Sequence, residues 1–211
     1  MVVSSADGPD GFERNLLTRF DDLLTQVYSC TLCENELPRG PRPVVQIHPA
    51  ARILIAGQAP GRRVHETGIP FNDPSGVRLR SWLGVTAATF YDPQLFALVP
   101  MAFCYPGSGR SGDLPPPPRC AAAWRDPLLS LLPDLKLTLV LGQYAHAYHF
   151  HGSRSSLTER VAAWRDYWPD LVPLPHPSPR NILWLRRNPW FEQNLIPVLQ
   201  QQVADILRLT E

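Results

Sequence analysis

The chain is predicted to fold as a single α/β domain, with a central four-stranded parallel sheet flanked by helices. Three observations point there. Four short apolar runs, at 52–56, 95–102, 137–141 and 171–174, alternate with segments whose apolar residues recur at helical spacing. That is the pattern of strands covered on both faces. The first run breaks directly into a Gly/Pro loop, as strands do where a site is built at their carboxyl ends. Finally, 211 residues, 44% of them hydrophobic and 18% charged, suit one globular domain with a proper core.

In chain order, residues 1–11 read as a disordered lead-in and 12–211 as the domain. Phe12, Leu16, Leu17, Phe20, Leu23, Leu24 and Val27 form a helical stripe over 12–28. Residues 38–49 are a proline-rich extended connection. The first strand opens into a loop that runs to Gly76, and 77–83 suits a short helix. The second strand leads into a loop over 104–119 loaded with Gly, Ser and Pro. A helix over 120–132 is stopped by Pro133. The third strand ends at Gly142 and passes into a helix at 143–150, and another helix spans 157–167. After the fourth strand, a closing helix over 189–209 is interrupted near Pro197. There is no internal repeat.

The 24 prolines are more than twice the usual share of about 5% and predict many loops of fixed shape. No apolar run approaches the roughly 20 residues of a membrane span, and no basic-then-apolar leader is visible. A cytoplasmic protein without membrane contact, and a monomer, are the expectation. The net charge of +1 gives no global argument for nucleic acid. Locally, Arg39, Arg42, Arg52, Arg62 and Arg63 fall between Glu36 and Glu66 with no acid among them. Arg180, Arg186 and Arg187 surround the 174–181 loop in the same way. Phosphate would be attracted at these two places.

Those two places carry the motifs. Leu174-Pro-His-Pro-Ser-Pro-Arg-Asn181 holds a histidine among three prolines at the end of a strand, so the imidazole has few directions open to it. Ile53-Leu-Ile-Ala-Gly-Gln-Ala-Pro-Gly61 is an apolar strand breaking into a Gly/Pro loop, followed by Thr67-Gly-Ile-Pro-Phe-Asn-Asp-Pro-Ser-Gly76. Together, and in this order, these stretches resemble the uracil-DNA glycosylase superfamily. The His176-Pro-Ser-Pro-Arg-Asn181 loop is most similar to that of the single-strand-selective monofunctional branch. The resemblance runs from about Ile53 to Trp190. It implies the same four-stranded parallel fold and removal of uracil from single- or double-stranded DNA.

The cysteines form a Cys30-x-x-Cys33 pair, then Cys104 and Cys120. Four thiolates can close a metal coordination shell, and the spacing alone does not separate zinc from an iron–sulfur cluster or from four buried thiols. The resemblance favours a 4Fe–4S cluster, because the iron–sulfur uracil-DNA glycosylases carry a similar arrangement. Zinc is the alternative.

Breaking a base–sugar bond develops positive charge on the sugar and negative charge on the base, so placed donors and acceptors matter more than a strong nucleophile. The resemblance makes His176 the donor to the departing base and Phe71 the ring that stacks on it. Asp73, in Phe-Asn-Asp-Pro-Ser-Gly, is similar to an aspartate that another branch uses to orient water and offset the sugar cation. It also suits a helix cap before Pro74. Gly57, Gln58, Ala59 and Asn72 are expected around the base. Ser178, Arg180 and Asn181 are expected in the loop that fills the gap it leaves. Two departures stand out. Gln58-Ala59 holds no carboxylate where some members carry one, and Leu98-Val-Pro-Met-Ala102 holds no asparagine to read the base edge. A glycosylase for another deaminated or damaged base, or a DNA-binding member with little turnover, are the alternatives these departures open.

Overall fold

The computed structural model describes residues 9–110, 112–152 and 154–208. Along them the chain forms α1 (Pro9–Tyr28), β1 (Ile53–Ala56), α2 (Arg62–Thr67), α3 (Pro74–Leu83), α4 (Ala87–Phe90) and β2 (Phe96–Leu98). A small hairpin, β3 (Ser108–Gly109) and β4 (Gly112–Asp113), precedes α5 (Pro118–Leu129), β5 (Leu137–Leu141) and α6 (Gly142–His149). The last third holds α7 (Leu157–Ala162), β6 (Leu171–Leu174), α8 (Ile182–Arg187) and α9 (Ile196–Arg208). No helix among the described residues is long and apolar enough to cross a membrane.

β1, β2, β5 and β6 make the expected sheet, all parallel, in the order β2-β1-β5-β6. Because strand side chains alternate between faces, each strand feeds two cores. Ile53, Ile55, Phe96, Leu98 and Leu139 pack with Leu79 and Leu83 of α3 and Leu199 and Val203 of α9. Leu54, Ala97 and Val99 pack instead with Phe20 and Val27 of α1 and Leu128 of α5. Each buried Val, Leu, Ile or Phe side chain is worth about 1.5–3 kcal/mol, whereas an exposed ion pair such as Arg208–Asp205 is worth about 0–1. The two apolar layers therefore decide the fold.

The sheet's edges are managed by proline and by the extended 38–49 connection. Gln46 exchanges backbone hydrogen bonds with Leu98 (3.2 and 2.7 Å), which closes the outer side of β2. β6 is the other edge, where Pro173 can lack an N–H without breaking the ladder.

Several boundaries differ from the sequence reading. Residues 9–11, read as lead-in, belong to α1, while residues 1–8 lie outside the described residues. The second strand stops at Leu98 rather than 102. Pro100 has no N–H to continue the ladder, and the N–H groups of Met101 and Ala102 turn to the carbonyls of Gly57 and Gln58 (both 3.0 Å). The loops after β1 and β2 hide α2 and the β3–β4 hairpin, both too short to show periodicity. The helix expected over 157–167 divides into α7 and a 3₁₀ turn, Trp164–Asp166. The break near Pro197 is a π-helical turn, Phe191–Leu195, which runs straight into α9, with Pro197 at the second residue of that helix. Residue 209 lies outside the described residues.

Behind the carboxyl ends of the strands lies a second, polar layer. His146 is almost fully buried, and its Nε2 reaches both Val140 O (3.0 Å) and Leu174 O (3.1 Å), joining the ends of β5 and β6. Two carbonyls require Nε2 to carry the proton, so Nδ1 accepts from Arg160 Nη1 (3.3 Å). Arg125, wholly buried, donates to Val99 O (2.6 Å) and to His149 Nε2 (2.7 Å). Burial lowers the pKa of His146 to about 4 and of His149 to about 3. The folded chain thus refuses protons that the unfolded chain takes up near pH 6.5, so stability is lost as the pH falls below that value. We predict that the thermal midpoint falls between pH 6.5 and 4. His146 alone would contribute on the order of 3 kcal/mol, and a flat profile across that window would contradict this network.

Candidate active site

The sheet order reverses between β1 and β5: the chain leaves β1 towards β2 and returns on the other side. In open α/β sheets the crevice outside such neighbouring carboxyl ends is where ligands bind. A cleft of about 800 Å³ opens there, lined by the 57–61 loop, Phe71, Asp73, the β3–β4 hairpin, Gly142 and the 176–181 loop. Its size lies within the roughly 300–1,000 Å³ of small-ligand sites.

Gly142 lets the three strand ends meet. It joins β5 to α6 with φ +78°, a backbone region that side chains disfavour. A Cβ there would stand 3.1 Å from the Gln58 amide carbon and 3.4 Å from His176 Cβ. Gln58 and His176, expected at the site from loops more than a hundred residues apart, are thus packed on one glycine.

His176 is held by its own loop. The Ser178 N–H donates to His176 Nδ1 (3.2 Å), and Asn181 Nδ2 donates to the His176 carbonyl (2.7 Å). Arg78, from α3, donates to the Pro177 and Ser178 carbonyls (3.3 and 3.0 Å). With Nδ1 accepting, the neutral ring carries its proton on Nε2 and is a donor. Burial lowers its pKa from the ordinary value, with Asp73 and then Asp113 pulling the other way. Imidazole, not imidazolium, is the resting form.

The 71–76 segment is wound tightly. Phe71 has φ +53°, which costs a non-glycine residue roughly 1–2 kcal/mol. Its carbonyl occupies the place of a Cβ at position 76, so only glycine fits there. Asp73 caps α3, its Oδ1 accepting from the Gly76 N–H at 2.9 Å. The Phe71 ring lies against Gly57 and packs edge-on to Phe90, with centroids 6.1 Å apart.

Of the residues expected to bind substrate, Gly57, Gln58, Ala59, Phe71, Ser178, Arg180 and Asn181 line the cleft, as do His176 and Asp73, whereas Asn72 is not among its lining residues. The Asn72 backbone N–H closes a turn by donating to Ile69 O at 3.3 Å. Part of the basic patch is internally balanced: Arg39 and Arg62 both approach Glu66 (3.3 and 3.5 Å). Sequence reasoning missed Arg78, Gly142 and Asp113. Gly142 was legible as a strand terminator, but its contact with His176 was not. Arg78 reads as an ordinary helix cation, and Asp113 is hidden in a loop without periodicity.

Away from the cleft, Cys30, Cys33, Cys104 and Cys120 line one small pocket with Leu32, Leu37, Ala102 and Pro117. None is in a disulfide. The Trp124 indole N–H donates to Cys30 Sγ (3.2 Å) and the Phe103 N–H to Cys120 Sγ (3.4 Å). Burial raises the Cys120 thiol to about 12 and raises Cys33 and Cys104 as well. Among the described residues no three His, Cys, Asp or Glu side chains are arranged to hold a single ion.

A family model described as the uracil DNA glycosylase superfamily matches residues 44–200. That span includes the sheet, the cleft, Cys104 and Cys120, and begins after Cys30 and Cys33.

The bond from the Ser178 N–H predicts the state of His176. In ¹⁵N NMR at neutral pH one ring nitrogen should be protonated and the other bare, with charge gained only below the ordinary histidine range. A doubly protonated ring at pH 7 would contradict the hydrogen-bond assignment.

Proposed function

Because the chain belongs to the uracil-DNA glycosylase superfamily, whose chemistry is excision of a base from DNA, we propose that it hydrolyses the bond between uracil and its deoxyribose without lyase chemistry. The observation that carries this reading is the convergence, at one strand-end cleft, of a neutral imidazole donor, an aromatic face, an amide and a carboxylate. A base flipped into the cleft would stack on Phe71. The Gln58 amide offers one donor and one acceptor, the complement of uracil's O4 and N3–H, and takes the place of the missing asparagine after β2. Gly57 and Ala59 would meet the base through backbone. His176 Nε2–H would stabilise charge on the uracil oxygen as the bond breaks, and Asp73 would offset the sugar cation from the start of α3. Ser178, Arg180 and Asn181 would enter the space left by the base, with Arg180 reaching phosphate.

The departure after β2 keeps a second reading in view, excision of another deaminated base, because Pro100 stands in the cleft where an amide would read the edge. The assay separates the two. An oligonucleotide with one uracil, treated with protein in EDTA and then with alkali, should be cut at that site with release of free uracil, as leaving-group stabilisation needs no divalent ion. Cleavage confined to hypoxanthine or xanthine would establish the second reading. Tight binding with intact strands after long incubation would establish a binder.

At single turnover, His176→Ala should lose about a hundredfold to a thousandfold with DNA affinity retained. Asp73→Asn keeps the cap, since asparagine also accepts from the Gly76 N–H, and should lose a comparable factor through its charge. The double variant should lose less than the product, as both act on one transition state.

Four thiols around one apolar space, with N–H donors at two of the sulfurs, support a cluster of the 4Fe–4S type. Cys30, Cys33, Cys104 and Cys120 would be its ligands. When bound, the cluster would serve structure, tying the end of α1 and the loop after β2 to α5. Anaerobically purified protein should be brown and contain iron and acid-labile sulfide, and Cys104→Ala should lose both. Colourless protein with one zinc per chain would decide for the alternative.

A further inference from the structure

The 57–61 loop brings no carboxylate to the cleft, yet one lies against it. β3 and β4 pair Ser108 with Asp113, and the hairpin folds back over the cleft mouth. Asp113 Oδ2 stands 3.3 Å from the point where a Cβ on Gly61 would be. Asp113 lines the same cleft as His176, and its charge is felt at that imidazole.

The carboxylate is aimed. Ser108 Oγ donates to Asp113 Oδ1 at 3.2 Å. That uses the only hydroxyl proton of Ser108, so the 2.7 Å contact with Tyr105 Oη has Tyr105 as donor. Tyr105 is buried beneath the hairpin. The chain Tyr105–Ser108–Asp113 thus roots an exposed side chain in the core and turns its second oxygen to the 57–61 loop. The Arg180 guanidinium packs where a side chain on Gly112 would lie, which ties the hairpin to the His176 loop. A negative charge at the mouth of a DNA-binding cleft opposes phosphate binding, so affinity for DNA does not account for it. Asp73, by contrast, is already engaged in capping α3.

We propose that Asp113 is the carboxylate that orients and deprotonates the attacking water, supplied by the hairpin to a loop that has none of its own. This rests on the glycosylase reading above. As the bond between the sugar C1′ and the base nitrogen breaks, its electron pair leaves with the base. The water oxygen forms the new bond to C1′, and the water proton passes to the Asp113 carboxylate and on to solvent. The base anion, held by the His176 donor, takes a proton from solvent. Asp73 meets the sugar charge from the start of α3.

The test uses the full chain with its metal content unaltered, and two readouts. In single-turnover base release, Asp113→Asn should be slower by about a hundredfold, with affinity for undamaged duplex unchanged or higher. Ser108→Ala, which loosens the aim but keeps the charge, should be only several-fold slower. The second readout is equilibrium affinity for an oligonucleotide carrying a cationic pyrrolidine in place of the sugar, against the neutral tetrahydrofuran analogue. Wild type should prefer the cation, and Asp113→Asn should reduce that preference by about tenfold or more, as loss of a close charge partner would. Wild-type rates in Asp113→Asn, or an unchanged preference for the cation, would overturn the assignment. If wild type releases no uracil, the substrate named above is wrong. The preference for the cationic sugar then still decides the role of Asp113.

Discussion

The cleft depends on three strand ends approaching more closely than side chains ordinarily permit, and the missing Cβ of Gly142 is what allows it. The Gln58 amide and the His176 Cβ both crowd the place it would occupy. A parallel sheet delivers all its carboxyl ends to one side, so loops distant in sequence become neighbours there. The glycine converts neighbours into a packed unit. Gly76 acts in the same way further out, taking the Phe71 carbonyl against its backbone so that the Phe71 ring can turn to Gly57.

Rigidity at the site comes largely from backbone rather than from bulky packing. The His176 loop is tied by the Ser178 N–H, by Asn181, and by Arg78 from a helix about a hundred residues away. Beneath it, His146 and Arg125 satisfy carbonyls at the ends of β5, β6 and β2, where the ladders stop and buried acceptors would otherwise be costly. These buried cations and imidazoles serve the strands, while the His176 imidazole lines the cleft. The histidines are separated by what their nitrogens must satisfy.

The electrostatic design has two opposing sides. Arginines beside the two motif loops would draw phosphate, some of them tempered by Glu66. Two carboxylates, Asp73 and Asp113, reach the cleft from separate elements and act against burial on His176. A neutral imidazole near two carboxylates suits a reaction in which the sugar becomes positive as the base becomes negative. Under the reading proposed above, such an arrangement would favour the transition state more than the holding of DNA.

What depends on local pattern was legible in the chain alone. The four apolar runs and the helical stripes required a covered parallel sheet, and two motif loops in order pointed to the family and to His176, Phe71, Gln58 and Asp73. Burial periodicity and proline stereochemistry act over a few residues, so they can be read directly. Which groups share a space was settled by the packed fold. It left Asn72 outside the cleft lining, made Asp73 a helix cap as well as a cleft residue, and brought Arg78 under the His176 loop. It also folded an inconspicuous Gly-Asp pair over Gly61 and gathered four cysteines from separate stretches around one pocket. These juxtapositions follow from strand order and from close approach at glycines. Both are set by packing across the whole sheet, and no window of neighbouring residues contains them.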